Sequence, residues 1–431
     1  MTTITSRLDA VDLVNADRYA ERGYPWEDWA LLRREAPVYR YERPNVDPFW
    51  AITRYHDIQR ISRDPHTFSS VVPLFVVERD PARQDKSGSA NERAESDRSD
   101  SQLMINMDPP EHGQYRGIVN RRFSPRGMRV LEDRIDQIAA DVVDRAAVRL
   151  VDDIAPRGRI DFVTDVAAQL PLAAIGELLG VPRERWPDMF RWTNEIIGAA
   201  DPEYQNGRSA SETASQANQN LIEYFALLAE QKRRQPGDDL MTTIVEAEID
   251  GEPLPAADVI AYGFLLIIAG NETTRNATSG GMLALIEHPD QLERLRADPD
   301  LLDSAVEEIL RWTSPVTHMA RRVTQATEIG GQAIAVGDRV VMWYPSANRD
   351  EEIFEHSEIF DIARAPNEHL AFGGFGEHFC LGANLARLEL RSIFRHILAR
   401  MDEIQLDGEV ERLRSGIVGG IKHLPISFSA R

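Results

Sequence analysis

The chain has 431 residues, of which 42% are hydrophobic, and a formal net charge of −21. A chain of this length can bury a core large enough to enclose a cofactor, and a protein this acidic is a poor candidate for binding nucleic acid. Its one cysteine, Cys380, excludes an intrachain disulfide framework and any four-cysteine zinc or iron–sulfur site.

The N-terminal stretch from Thr2 to Gly23 is polar, so the sequence predicts neither a signal peptide nor a membrane anchor. A single cysteine also fits a reducing compartment, and we expect the protein to be cytoplasmic. No linker rich in Pro, Gly or Ser divides the chain into separate hydrophobic blocks. We therefore predict one large, mainly helical domain over residues 1–431.

Short strands are predicted first. Val38-Tyr39-Arg40-Tyr41 and Phe49-Trp50-Ala51-Ile52 are typical of the two arms of a β-hairpin. Residues 79–102 are too hydrophilic to pack into a core and predict a flexible loop. Helical periodicity dominates from Pro110 to about residue 400, interrupted at 326–345 by short strands with glycine turns, and strand and loop return after Ser415.

A helix is predicted to begin at Asp108-Pro109-Pro110-Glu111-His112, with His112 and Arg116 one turn apart. The pair offers cationic and N–H groups to an anion. A capped surface helix with solvated charges explains the same spacing equally well.

The central segment, 258–287, predicts one long helix. Phe264 to Ala269 is apolar on every side and indicates burial, but Gly270-Asn271-Glu272-Thr273-Thr274 follows directly. A buried carboxylate costs several kcal/mol unless it is paired or hydrated, so this polar insert suggests function. A threonine hydroxyl can bond to the carbonyl four residues back and open the helix groove. The alternative is a kinked core helix with a solvated polar patch.

Glu308 and Arg311 are three residues apart and share a helix face. Most pairs at this spacing are surface contacts. The apolar residues that surround this pair indicate burial instead.

The most informative segment is Phe372-Gly373-Gly374-Phe375-Gly376-Glu377-His378-Phe379-Cys380-Leu381-Gly382, followed by a predicted helix to residue 400. Its glycines let the backbone come close to a bulky group and direct N–H groups toward a sulfur anion. The thiolate would lie just before a helix, where the positive end of the dipole favours an anion. A buried free cysteine is the alternative, and no protease-like sequence surrounds the thiol.

This loop, together with Ala383-Asn384-Leu385-Ala386-Arg387-Leu388-Glu389, resembles the haem-binding segment of the cytochromes P450. The resemblance implies a mainly α fold with small β-sheets, one haem-enclosing domain, and Cys380 as the proximal ligand of the iron of haem b. One departure is visible: an additional glycine sets Phe372 one residue farther from the cysteine than in the usual Phe-Gly-x-Gly-x-His-x-Cys pattern.

The resemblance also implies roles for other residues. Glu272 and Thr273 would deliver protons to dioxygen. Glu308, Arg311 and Arg364 would form a structural triad, and residues 79–102 would form a lid. The implied cofactor-binding residues are Cys380, His112, Arg116, Arg321, His378, Gly376, Phe375 and Ala269. The implied substrate pocket consists of Phe75, Val76, Ile196, Ile197, Leu266, Ala269, Val316, Met319 and Ile417.

The activity implied is that of a haem-thiolate monooxygenase, which inserts one atom of dioxygen into a C–H bond of a hydrophobic substrate, by resemblance a steroid or terpenoid. Electrons from NAD(P)H would arrive through a ferredoxin-type partner and its reductase. Two basic groupings, Arg116 to Arg126 and Arg387 to Arg395, suggest a docking patch for that partner, although a solvated basic face explains them too.

Two other functions stay open. One is a peroxide-driven hydroxylase of the same fold acting on fatty acids or aromatics, which the retained Glu272-Thr273 pair argues against. The other is a non-catalytic haem sensor or carrier, which the complete proton-delivery segment disfavours.

Overall fold

The computed structural model describes residues 7–78, 103–152 and 158–430, and the predicted lid at 79–102 lies outside these ranges. Long helices dominate the described part of the chain. Their bounds are α1 Ala16–Arg22, α2 Trp26–Glu35, α3 Tyr55–Arg63, α4 Glu111–Phe123, α5 Pro125–Asp152, α6 Gln169–Leu179, α7 Trp186–Ile197, α8 Pro202–Gln205, α9 Ala210–Arg234, α10 Leu240–Val245, α11 Ala256–Glu287, α12 Pro289–Ala297, α13 Leu302–Thr313, α14 Tyr344–Ala347 and α15 Ala383–Arg400.

The strands are short, and their bounds are β1 Val38–Arg43, β2 Val46–Ile52, β3 Phe68–Ser69, β4 Gly158–Asp161, β5 Glu248–Ile249, β6 Glu252–Pro253, β7 His318–Val323, β8 Thr327–Ile329, β9 Gln332–Ile334, β10 Arg339–Trp343, β11 Met401–Leu406, β12 Glu411–Arg412, β13 Ile421–His423 and β14 Pro425–Ala430. The main sheet has five strands in the order β1-β2-β10-β7-β3, and a second has the order β11-β14-β4. The β1–β2 pair is the predicted hairpin. The mainly helical architecture with small sheets confirms the predicted fold class.

The central helix, α11, has 32 residues and packs against α6, α9 and α13. Within the described residues it alone is long and apolar enough to cross a membrane, with a mean hydropathy of 1.2, but half of that apolar window is buried inside the fold. A core helix with neighbours on most sides needs an apolar surface all round, which explains its composition.

Gly281 allows the helices on the cysteine side to approach α11 closely. A Cβ atom at this position would lie 2.6 Å from Cγ2 of Ile309 on α13 and 3.1 Å from Cζ of Phe394 on α15. Because α15 follows the cysteine loop directly, this packing fixes the distance between that loop and the central helix.

Candidate active site

One cavity is lined by both the central helix and the cysteine loop. The centres of water-sized molecules can occupy ≈ 230 Å³ of it. Its walls are mostly apolar, and the polar exceptions converge from distant parts of the sequence. The sulfur-bearing Cys380 and the hydroxyl-bearing Thr273 both line it.

The cysteine loop is shaped by close packing onto α3. A Cβ atom at Gly376 would lie 1.6 Å from the carbonyl oxygen of Ser62, so only glycine fits at this position. The N–H of Cys380 donates to the carbonyl of Phe372 at 2.9 Å. Together these contacts hold the thiol at the cavity wall.

The additional glycine of the loop is accommodated by a turn in which two residues have positive φ angles, +95° at Gly373 and 60° at Phe375. The resulting turn directs the two phenylalanines to different places. Phe372 is 9% exposed and lines the cavity, whereas Phe375 is 39% exposed and stacks on Phe379 outside it. Of the two, only Phe372 lines the cavity, whereas Phe375 was the residue predicted to bind the cofactor.

Burial raises the pKa of the Cys380 thiol, while the N–H of Gly382 and the guanidinium groups of Arg116 and Arg387 oppose the shift. The surroundings thus favour the thiol over a free thiolate. A metal cation bound to the sulfur would reverse this preference, because a coordinating thiol is deprotonated.

Two guanidinium groups face the same cavity. Arg116 donates to the carbonyl of Phe379 at 2.8 Å, and Arg321 donates to that of Ala320 at 2.8 Å. Neither forms an ion pair with a carboxylate in the described part of the chain. Burial lowers the pKa of both groups. Cations that line a cavity and lack a carboxylate partner fit an anionic ligand.

Two imidazoles complete this polar corner, His112 and His378, with ring centroids 4.1 Å apart. His378 Nε2 lies 2.9 Å from Ser70 Oγ and 3.0 Å from the carbonyl of Met107, and burial lowers its pKa to about 3. Nδ1 of His112 is buried and has no partner among the described residues. A thiol, two guanidiniums and an unpartnered imidazole nitrogen fit the iron and propionates of a haem.

Strand geometry distinguishes Arg321 from its neighbour Arg322. Both lie on β7, where successive side chains point to opposite faces. Arg321 is 5% exposed and lines the cavity, whereas Arg322 is not among its lining residues.

The polar insert of α11 places its two functional side chains in different environments. Thr273 Oγ1 donates to the carbonyl of Ala269 at 2.9 Å, as predicted for a threonine in a helix, and both residues line the cavity. Glu272 is not among the lining residues. It is 1% exposed and accepts from Arg275, whose Nη1 also donates to Asn194 at 2.5 Å.

The cytochrome P450 family model matches residues 159–414 of the chain. The chain belongs to the cytochrome P450 family. It is 38% identical over 97% of its length to a steroid C26-monooxygenase of Rhodococcus jostii, covering 85% of that protein. It is 40% identical over 93% of its length to a methyl-branched lipid omega-hydroxylase of Mycobacterium bovis, covering 90% of that protein.

Solved structures agree with this assignment. A Mycobacterium marinum cytochrome P450 in complex with pseudoionone matches with a TM-score of 0.86 and 36% identity, over 97% of this chain and 98% of that one. A Bacillus megaterium cytochrome P450 in complex with testosterone matches with a TM-score of 0.79 and 30% identity, over 95% and 98%. This P450 is a monooxygenase that binds haem and uses dioxygen, with electrons supplied by a partner. The family and activity predicted from the sequence are confirmed.

Glu308 lies at the centre of a buried charge network in this P450. Its carboxylate accepts from Arg311 Nε at 2.8 Å and from Arg364 Nε at 3.1 Å, and Asn367 and the N–H of Asp361 complete its hydrogen bonds. Glu308 and Arg311 are both fully buried. The structure thus brings together the three residues of the predicted triad, on the side of the cavity that carries the cysteine loop.

The apolar wall of the cavity contains four of the predicted pocket residues, Leu266, Ala269, Val316 and Met319. Sequence reasoning missed Ile175, Met104, Ile105 and Leu265, which also line it. Nothing local marks these residues, because an apolar side chain on a helix has the same pattern whether it faces a cavity or the core.

The other five predicted pocket residues are not among those that line the cavity. The N–H of Val76 donates to His318 at 2.8 Å, and the ring of Phe75 packs edge-on against the same imidazole. Ile196 and Ile197 end α7, where Ile196 packs against the main core. Ile417 contributes its carbonyl to Thr317. Their placement depends on long-range packing, which the sequence pattern does not specify.

The predicted basic stripe on α15 is largely compensated. Arg387 pairs with Glu307, Arg391 with Asp303, and Arg395 with Asp136. The prediction of an uncompensated basic stripe is therefore corrected, because these ion pairs neutralise most of its positive charge. Three other arginines have no carboxylate partner in the described part of the chain: Arg63 on α3, Arg121 on α4 and Arg126 on α5.

Proposed function

We propose that this P450 hydroxylates an apolar C–H bond on the side chain of a steroid or terpenoid. The observation that carries the proposal is the cavity in which the Cys380 sulfur and the Thr273 hydroxyl share mostly apolar walls. Ile175, Leu266 and Val316 exclude water and offer no hydrogen bond to orient a polar substrate. Relatives whose names specify a steroid and a methyl-branched lipid support a substrate of this class.

The haem, when bound, supplies the activation of dioxygen. Cys380 would hold its iron, and the guanidiniums of Arg116 and Arg321 with His112 would bind its propionates. His378, half-buried beside His112, would support the binding of the propionates, while Gly376 permits the close approach of the loop to α3. Phe372 would shield the sulfur from water.

Protons would reach the cavity through Thr273. Its hydroxyl donates to the Ala269 carbonyl, so its oxygen is left as an acceptor toward the cavity. Glu272 supplies the acid from the buried side of the helix. Burial raises its pKa and Arg275 opposes that shift, so the carboxyl holds a proton more tightly than an exposed glutamate does.

Electrons would come from NAD(P)H through a ferredoxin and its reductase, in the cytoplasm. The exposed ring of Phe375, with Arg63 within 6.0 Å of its centroid, offers an apolar and cationic contact beside the cysteine loop. An acidic protein surface is complementary to this arrangement.

The test is reconstitution of the haem-loaded protein with ferredoxin, reductase and NADPH, and a screen of steroids, terpenoids, fatty acids and aromatics. We expect hydroxylated product from steroids or terpenoids only when the full electron chain is present. Product that requires peroxide would instead support a peroxide-driven hydroxylase, and ligand-induced spectral shifts without product would support a sensor or carrier.

Cys380→Ala tests whether the Cys380 sulfur is the ligand of the haem iron. The variant should lose the thiolate-type absorption of the reduced carbon monoxide complex, and retention of that absorption would refute the assignment of Cys380.

A further inference from the structure

A second cavity lies beside the C-terminal half of the central helix. The centres of water-sized molecules can occupy ≈ 210 Å³ of it, and it shares no lining residue with the haem cavity. Five parts of the chain enclose it: the region from Tyr19 to Trp26, the helix face from Asn276 to Glu287, the end of α13, Arg349, and the segment from Arg412 to Ile421. No step of the proposed monooxygenase chemistry uses it.

The side-chain amide of Asn276 is the first indication of a ligand. Asn276 is 2% exposed and lines this cavity, yet neither Oδ1 nor Nδ2 has a hydrogen-bond partner among the described residues. Leaving a buried polar group unsatisfied costs about 1–3 kcal/mol. A ligand that both donates and accepts a hydrogen bond, directly or through water, would recover that cost.

Positive charge is the second indication. Arg22, Arg349 and Arg412 line the cavity, and none of them forms an ion pair with a carboxylate in the part of the chain that the structure describes. Glu287 is the acidic residue among the lining residues. The cavity therefore has an excess of cationic groups in a protein whose net charge is −21.

Arg349 is a half-buried cation of this group. Its guanidinium carbon lies 3.8 Å from the ring centroid of Trp26 and 3.9 Å from that of Trp312, so the cation is held between two indoles. Burial and the nearby Arg311 and Arg33 lower the pKa of Arg349 to about 9. Stacking on aromatic faces offsets part of the desolvation cost, and an anion would offset more of it.

We propose that this second cavity binds a small aromatic carboxylate. The carboxylate would be held by Arg349 and Arg412, the ring would pack against Leu283 and Ala284 beside the two indoles, and Asn276 would hydrogen-bond a polar atom of the ligand. The apolar side chains of Leu283 and Ala284 favour a ligand with an apolar body over inorganic phosphate, which would leave them without a partner.

The position of the cavity connects it to the monooxygenase site. Asn276 lies one helical turn beyond Thr273, and a Cβ atom on Gly420 would lie 2.8 Å from its Oδ1. Val418, two residues before Gly420, forms a β-bridge with Val316 of the haem cavity wall. A ligand here would contact two elements that also shape the substrate pocket.

The experiment measures binding of 6-hydroxy-2-naphthoate, whose hydroxyl can donate and accept a hydrogen bond, to the haem-loaded protein by isothermal titration calorimetry. The haem cavity is blocked in a parallel titration by a saturating phenylimidazole that ligates the iron. We expect binding at a stoichiometry of one in both titrations, and weaker binding of the neutral 6-hydroxy-2-naphthamide.

Arg412→Gln and Asn276→Ala should each weaken hydroxynaphthoate binding about tenfold or more, the loss expected for one charge-assisted or buried hydrogen bond. The matched control is Arg294→Gln, an exposed arginine that pairs with Asp361 on another face. Far-ultraviolet circular dichroism establishes that each variant is folded, and Arg22→Gln replaces any that is not. Absence of binding, binding abolished by phenylimidazole, or equal affinity in wild type and folded cavity variants would overturn the proposal.

Discussion

Glu272 and Arg275 form an ion pair within the central helix that is closed to solvent, with 1% and 2% of their side chains exposed. The pair keeps the carboxyl of Glu272 out of the lining of the cavity that Thr273 lines. For Glu272 to supply a proton to Thr273, as proposed, its carboxyl would have to be released from Arg275 or connected to Thr273 by a chain of water molecules.

Glu272→Gln tests this relationship. We expect product formation to fall about 100-fold, the range of a lost general acid, with unchanged haem content and a larger solvent isotope effect. The control is Glu195→Gln, which removes another buried carboxylate that pairs with Arg208 and does not line the cavity. Equal loss of turnover in both variants would attribute the effect to helix stability instead of proton transfer.

Arg321→Gln should weaken haem retention, because it removes a buried cation that faces the cavity. Arg322→Gln is the matched control, since it makes the same change on the other face of the same strand. We expect transfer of haem to an apo-globin acceptor to be at least several times faster for Arg321→Gln alone, as for loss of a charge-assisted hydrogen bond. Identical transfer rates in the two variants would exclude Arg321 as a propionate anchor.

Phe372→Ala and Phe375→Ala distinguish the two phenylalanines of the cysteine loop. Truncation of the buried Phe372 should lower the free energy of unfolding by about 3–5 kcal/mol and accelerate haem loss. Truncation of the exposed Phe375 should cost less than about 1 kcal/mol, since it leaves no cavity. Denaturant unfolding of both holoproteins measures this difference, and the reverse order would place Phe375 next to the haem.

The buried carboxyl of Glu389 should make the free energy of unfolding depend on pH. It is 1% exposed on α15, and neither carboxylate oxygen has a hydrogen-bond partner in the described part of the chain. Burial raises its pKa to about 8 from the ordinary value of 4.5, and the nearby Thr274 hydroxyl opposes the shift. The folded state therefore holds the proton more tightly than the unfolded state, and the stability from this protonation is complete below about 4.5 and is lost as the pH rises through about 8.

Glu389→Gln keeps the neutral form at every pH. Its stability relative to wild type should rise by at most about 1.4 kcal/mol per pH unit between those two values and then level off. Denaturant unfolding across this range measures the difference. The exposed Glu293→Gln serves as control, and a pH-independent difference for Glu389→Gln would show that its carboxyl is not buried as described.

The sequence predicted much of the scaffold, because the relevant signals are local. The hairpin, the central helix, the helix after Cys380 and the Glu308–Arg311 pair follow from periodicity and from spacing within one turn or strand. The cysteine loop was sufficient to identify the family, because the positions of its glycines, histidine and thiol depend on short-range backbone geometry.

Tertiary packing decided the remaining features. Strand pairing placed Arg321 at the cavity, a turn with two positive φ angles brought Phe372 inside and left Phe375 outside, and the bond to Arg275 kept Glu272 out of the cavity lining. The pocket lining and the second cavity combine residues hundreds of positions apart. The chain by itself therefore determined which chemistry its cysteine supports, whereas the side chains that surround that chemistry were determined by contacts between distant segments, which hydrophobic patterning does not specify.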